Sequence, residues 1–248
     1  MLNNATIGRA FALSLLALSL GPATRAAEPV SPVVVELFTS QGCSSCPPAD
    51  LYLGELAQRP DVIALSLHVD YWNYIGWADP YATRFATARQ HAYARTLNLR
   101  YVYTPEMVVN GTTEGVGSER STIAGLIASA EQASQPRQAV ALARNSDGTL
   151  TVHIDAGAPG EPPATVWLVG FDRERTTSVL HGENEGRTLR NYQVVRSWAS
   201  LGLWRGAALD LTVPAGKAAG DGGVAVLLQE GNGTGRILGA AMLRSPES

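Results

Sequence analysis

The sequence predicts an α/β N-terminal half, residues 27–135, followed by an all-β, sandwich-like half, residues 136–248. Three observations carry this expectation. Short apolar runs alternate with helical stretches as far as about Ala130; after Gln135-Pro136 only strand-length segments separated by turn residues remain; and the chain opens with an apolar segment that reads as an export leader ahead of both halves. A chain of 248 residues has room for two cores, since single domains usually run to roughly 100–200 residues.

The opening segment reads as an export leader over residues 1–26. Arg9 sits in a short polar start, an apolar run follows from Phe11 to Leu20, and Gly21-Pro22 leads into small residues through Ala27. That run is about half of the roughly 20 residues a spanning helix needs, so removal after Ala26 or Ala27 is expected, with no stable membrane insertion afterwards. The mature protein is then periplasmic or secreted. Two cysteines are too few for a disulfide-stapled scaffold in such a compartment. Twenty-two acidic and 19 basic residues leave a net charge of −3, and no run of Lys or Arg offers phosphate contacts, so no nucleic-acid partner is expected.

In the first half, Val33 to Phe38 is short, apolar and β-branched, as a strand buried on both faces should be. Gly42-Cys43-Ser44-Ser45-Cys46-Pro47-Pro48 is a turn entering a helix, because proline suits the first helical turn. The helix is expected to run to about Gln58 on Leu51, Leu53, Leu56 and Ala57. Pro60-Asp61 stops it before a second strand, Val62 to Val69, which makes a βαβ unit with a right-handed crossover. An aromatic connection containing Tyr71, Trp72, Tyr74 and Trp77 leads to Asp79-Pro80, expected to cap a helix that has Pro80 at its first position and ends near Leu97. Pro105 precedes the strand Met107-Val108-Val109, Asn110-Gly111 makes a tight turn, Thr112 to Val116 returns, and Ser121 to Ala130 is a helix.

The second half offers strands at Ala139 to Ala143, Leu150 to Ile154, Thr165 to Val169, Gln193 to Trp198, Leu209 to Val213, Val224 to Leu228 and Ile237 to Met242. Their spacing argues for a β-sandwich. Trp167, Trp198 and Trp204 read as core. Gly231 to Gly235 lies between strands and reads as a hairpin turn rather than a phosphate loop. No cofactor is expected.

Chemistry concentrates on Cys43 and Cys46. A Cys-x-x-Cys pair at a helix start meets unpaired amides and a partial positive charge, which stabilise the thiolate that attacks a disulfide. Cys43 is the natural nucleophile, and Cys46 is near enough to resolve a mixed disulfide formed on it. A purely structural disulfide is the bland alternative, and a ring this small restricts the unfolded chain very little.

The stretch Glu36-Leu37-Phe38-Thr39-Ser40-Gln41-Gly42-Cys43-Ser44-Ser45-Cys46-Pro47-Pro48-Ala49-Asp50, with Tyr103-Thr104-Pro105 and Val108-Val109-Asn110-Gly111, resembles the exported thioredoxin-like proteins catalogued as domain of unknown function 1223. His181-Gly182-Glu183-Asn184 and Gly186-Arg187 belong to the same likeness without an assigned role. The resemblance implies a thioredoxin-like fold for the first half, with Cys43 attacking, Cys46 resolving and Pro105 as a cis proline facing the pair. It also implies a buried acid that relays the proton of the second thiol, for which Glu36 is the candidate, although one more residue than usual separates it from the cysteines. The function implied is an exported thiol-disulfide oxidoreductase, with protein thiols or disulfides as substrates and a separate redox partner.

Two other classes of function stay open on these residues. His68 and His91 with the two cysteines have the ligand chemistry for copper or zinc. The β-rich half, or the aromatic group Tyr71, Trp72, Tyr74, Trp77 and Tyr81, is suited to a protein-binding module.

Overall fold

The computed structural model describes Met1 and residues 31–133, 137–231 and 233–246; apart from Met1, the expected leader lies outside them, as does the Gln135-Pro136 junction. The chain is a mixed α/β protein. Its elements are β1 (Val33–Thr39), α1 (Pro47–Leu56), β2 (Val62–His68), a 3-10 turn (Asn73–Ile75), α2 (Arg84–Thr96), β3 (Glu106–Val109), β4 (Thr113–Val116) and α3 (Arg120–Glu131). There follow β5 (Val140–Arg144), β6 (Leu150–Ile154), β7 (Ala164–Ser178), β8 (Thr188–Trp204), β9 (Leu209–Val213), β10 (Gly223–Glu230) and β11 (Ile237–Arg244).

Eight strands form one sheet in the order β11-β10-β7-β8-β2-β1-β3-β4, and β5-β6-β9 form a second, smaller one. The expected all-β second half does not stand apart as a sandwich, because only three of its strands form a separate sheet. Four of its strands extend the sheet of the first half, joined where β8 runs parallel to β2 at the Ser66–Val194 pair. Only β5, β6 and β9 stack on that sheet in the manner of a sandwich.

Strand alternation sorts the core into two faces. Val33, Val35 and Leu37 of β1 pack under α1 and α3 with Leu53, Leu56, Ile123 and Ile127. Val34 and Phe38, facing the other way, join Tyr93 of α2 and Val169, Phe171, Ala225 and Leu227 of the C-terminal strands. On the α1 side of those C-terminal strands, Val166, Val226 and Leu228 are covered by Leu150, Val152 and Ile154 of β6. Trp204 is fully buried in this last cluster, while Trp167 and Trp198 are half-buried beside the α2 face.

The helix expected to start at Asp79-Pro80 starts at Arg84 instead. Thr83 is its cap, accepting from the Ala86 amide at 3.1 Å. Asp79 is unavailable as a cap because its carboxylate already accepts from the amides of Gln41 and Tyr81 and faces His68.

The turn after β3 ties β1 to β11. Asn110 exchanges hydrogen bonds with Val34 through its side chain and its amide, and its carbonyl accepts from Ile237. Gly111 has φ +69°, and a Cβ there would lie 2.3 Å from the Gly235 carbonyl oxygen. Gly111→Ala is therefore expected to destabilise the protein by about 2 kcal/mol or more, since left-handed backbone strain adds to a clash with main chain that cannot rotate away. A urea melt of the variant checks this.

Candidate functional site

Cys43 and Cys46 form a disulfide with Cα atoms 5.4 Å apart. Cys46 occupies the N-cap of α1, its carbonyl accepting from the amides of Ala49 and Asp50, with Pro47 and Pro48 in the first turn. The Ser45 hydroxyl lies 3.3 Å from Cys43 Sγ, and because a disulfide sulfur has no proton the hydroxyl is the donor. The same sulfur is 3.8 Å from the carbonyl oxygen of Thr104, whose bond to Pro105 is cis. Pro105 thus stands beside the pair across some sixty residues of chain.

Neither cysteine reaches the surface: Cys43 is 1% exposed and Cys46 is fully buried, whereas Ser44 and Ser45 between them are exposed. Cover comes from the turn joining β7 to β8. Asn184, fully buried, donates from Nδ2 to the carbonyls of Gln41 and Cys43, each at 2.9 Å, and its Oδ1 accepts from Arg187 at 2.7 Å. Glu183 accepts from the Ser44 amide at 3.0 Å. The His181-Gly182-Glu183-Asn184 stretch, to which the sequence assigns no role, is thereby part of the cysteine site.

The aromatic connection wraps the same turn. Trp72 donates from its indole to Thr104 and Trp77 to Gln41, while Ile75 and Trp72 pack on Gly42. Tyr71 bonds Gln90 and Tyr81 faces Thr177. Tyr74 alone of this group is largely exposed, at 83%.

Glu36 requires a correction. It points to the α2 face, where Arg89 holds it bidentately at 2.5 and 2.9 Å and Tyr93 donates to it at 2.6 Å. Arg89 also reaches Gly233 and Gln229 and stacks over Trp198. Side chains alternate along a strand, so Glu36, between Val35 and Leu37 which pack under α1, is turned to the opposite face. A proton relay from Glu36 to Cys46 is excluded by this parity.

The acid on the α1 side is Asp50. It lies one helical turn beyond Cys46, on the same helix face, and is 3% exposed. Burial is the main cause that pushes its carboxyl up to about 7, against the pull of His68 and of Thr39 and Asn191 beside it. Beneath it, His68 Nδ1 meets Asp79 at 2.7 Å. The His68 imidazole is raised above its ordinary value, the cost of burial being outweighed by Asp79 and Asp50. Asp79 is lowered, since His68 and two backbone amides offset its burial. Among the described residues, Asp50 Oδ1, Thr39 Oγ1, His68 Nε2 and Asn191 Nδ2 are buried without a direct hydrogen bond. The sequence signal for Asp50 is an acid on the otherwise apolar side of a helix, four residues after a cysteine.

The histidines do not assemble with the cysteines. His68 turns to Asp79 and His91 is exposed on α2. Among the described residues no three His, Cys, Asp or Glu side chains gather as a metal site, and no helix is long and apolar enough to cross a membrane.

Fold and site together define a mixed α/β protein with a disulfide at the start of its first helix, shielded by a turn from its C-terminal half. The family model described as protein of unknown function DUF1223 matches residues 34–229, and the chain belongs to that family. Among solved structures, a protein from Agrobacterium tumefaciens is 35% identical with a TM-score of 0.76, the match covering 90% of this chain and 98% of that one. HBP35 of Porphyromonas gingivalis shares 16% identity with a TM-score of 0.59 over 87% of this chain and 76% of its own, a likeness of fold alone. No curated protein matches the sequence.

Proposed function

We propose that this protein is a thioredoxin-like thiol-disulfide oxidoreductase that works outside the cytoplasm and exchanges disulfides with protein thiols. The observation that carries the reading is the Cys43–Cys46 disulfide at the N-cap of α1, with the Thr104 carbonyl and cis Pro105 against Cys43. The order of the first elements, β1 to α3, and the strand order β2-β1-β3-β4 are also those of a thioredoxin-like unit.

In this reading a substrate thiolate attacks Cys43 Sγ once the β7–β8 turn moves aside. A bond forms between the substrate sulfur and Cys43, the Cys43–Cys46 bond breaks, and its electron pair passes to Cys46. Asp50, one turn along the helix, supplies the proton that makes Cys46 a thiol. In the return direction the Asp50 carboxylate takes that proton, the Cys46 thiolate attacks Cys43, and the substrate leaves as a thiolate. Helix-start amides and the Ser45 hydroxyl stabilise charge on Cys43 while it is free.

Cys46→Ser is expected to trap mixed disulfides with partner proteins after acid quenching, because the resolving thiol is gone, and Cys43→Ser to trap few or none. Non-reducing gels of proteins captured in the native compartment read this. Absence of adducts in both variants, with no exchange by the wild-type protein on a model disulfide, would sink the reading.

A further inference from the structure

Glu183 is remote from Cys43 in the chain, yet its carboxylate is bonded to the amide of the next residue, Ser44, at 3.0 Å across 139 positions. The side chain and amide of Ser44 beside the carboxylate hold its pKa below the usual range. Its position is fixed by its neighbour. Asn184 is fully buried, clamps the carbonyls of Gln41 and Cys43, and is itself held by Arg187. Covalent geometry then keeps the Glu183 charge within roughly 8 Å of Cys43 Sγ, about one Debye length at physiological salt.

We propose that Glu183 sets the redox poise of the cysteine pair, making it a weaker oxidant than its helix-start position alone would. The amide of Ser44, next along the chain from Cys43, is committed to Glu183 and holds that carboxylate close to the pair. A fixed negative charge beside the sulfur disfavours a second one. The thiolate is the form that stabilises the reduced pair, so disfavouring it favours the disulfide. This inference rests on the oxidoreductase reading and adds a contribution from the C-terminal half to it.

The test equilibrates the full mature protein with glutathione and its disulfide. Each protein disulfide takes two electrons from two glutathione thiols, yielding the dithiol and one glutathione disulfide. Glu183→Gln keeps an acceptor for the Ser44 amide and removes only the charge. It is expected to shift the equilibrium constant toward the dithiol by about threefold, which is ~14 mV for a two-electron couple. Glu183→Lys should shift it further in the same direction. The pH midpoint for alkylation of Cys43 by iodoacetamide should fall in the same order, and the differences should shrink in 1 M salt, as an exposed charge requires. Asp50, His68 and Asp79 beneath the turn, and His181, Glu185 and Arg187 within it, are unchanged in every variant.

Equal potentials in all three proteins, or Gln and Lys moving the potential in opposite directions, would overturn the proposal while leaving the oxidoreductase reading intact. A shift that persists undiminished in 1 M salt would assign the effect to loop geometry and overturn it as well. If the wild-type pair fails to equilibrate with glutathione at any ratio, both readings fall together.

Discussion

An Arg89→Met protein is expected to lose about 3–5 kcal/mol of stability, because it leaves the Glu36 carboxylate buried without its counter-charge. The side chains of Arg89 and Glu36 are only 3% and 1% exposed, so water cannot replace the lost partner. Arg89 also donates to the Gly233 carbonyl, to Gln229 and to the Tyr93 hydroxyl, bonds that the thioether of Met cannot replace. Those partners include β10 and the turn beyond it, so the loss should loosen the C-terminal strands from α2 as well as weaken the core. Urea denaturation of Arg89→Met and of the double variant Glu36→Gln/Arg89→Met reads the effect. The double variant should recover part of the loss, since a neutral amide is less costly to bury than an unpaired carboxylate. A single-variant loss below about 1 kcal/mol would show that the pair does not anchor the two halves.

The second large effect is a pH dependence centred on Asp50. Its carboxyl is held up at about 7 in the folded protein, against about 3.9 in an unfolded chain. The folded state therefore binds the proton more tightly. Its stabilising contribution is full below about pH 4, falls as pH rises, and is exhausted above about 7. His68, raised, acts in the same sense at higher pH, while Asp79, lowered, withdraws stability only in acid. Asp50→Asn removes the cost of deprotonating the buried group. The variant is expected to match the wild type near pH 4 and to exceed it near pH 8 by as much as about 4 kcal/mol, since each tenfold difference in proton affinity is worth about 1.4 kcal/mol. Urea midpoints at the two pH values check the sign. A variant less stable than wild type at the higher pH would mean that Asp50 is held as a carboxylate by His68. Glu106, pushed by burial to about 7, remains in both proteins and leaves a residual slope of the same sign.

Local order in the first half is legible in the sequence because its signals are local. Val33 to Phe38, the Pro47-Pro48 helix start and the Asn110-Gly111 turn each lie within a few residues of the physics that dictates them. The C-terminal half is legible as strands but not as sheet membership. Nothing in Val166 or Ala225 states that β7 and β10 continue the sheet begun by β1, because pairing between strands far apart in sequence leaves no local mark. The long β7–β8 hairpin extends well past the apolar segments at Val169 and Gln193 that announce it. Its outer part carries Arg173, Glu174, Arg175 and Arg190, which pair across the strands and along the edge rather than burying an apolar face. At the site, Cys43, Cys46 and Pro105 stand out because their residue types are rare and their spacing is tight. Glu36 misleads through parity: its place between Val35 and Leu37 in β1 turns it to the face away from α1. Asp50 is visible only as an acid out of place, and Glu183 and Asn184 carry no local sign, since their partners are backbone groups of a distant turn.

The cover over the cysteines also fixes an order of events during synthesis. Ser44 meets Glu183 across 139 positions and Cys43 meets Asn184 across 141, while Arg89 waits 144 positions for Gly233 and Ser31 waits 209 for Ala240. A chain that emerges from its N-terminus therefore presents both thiols to the surroundings long before the residues that enclose them exist. Contacts this remote form late and slowly. The contacts that the first half makes with Cys43, through Ser45 and Thr104, are thus available earlier than the clamp on its backbone, which arrives with the last third of the polypeptide.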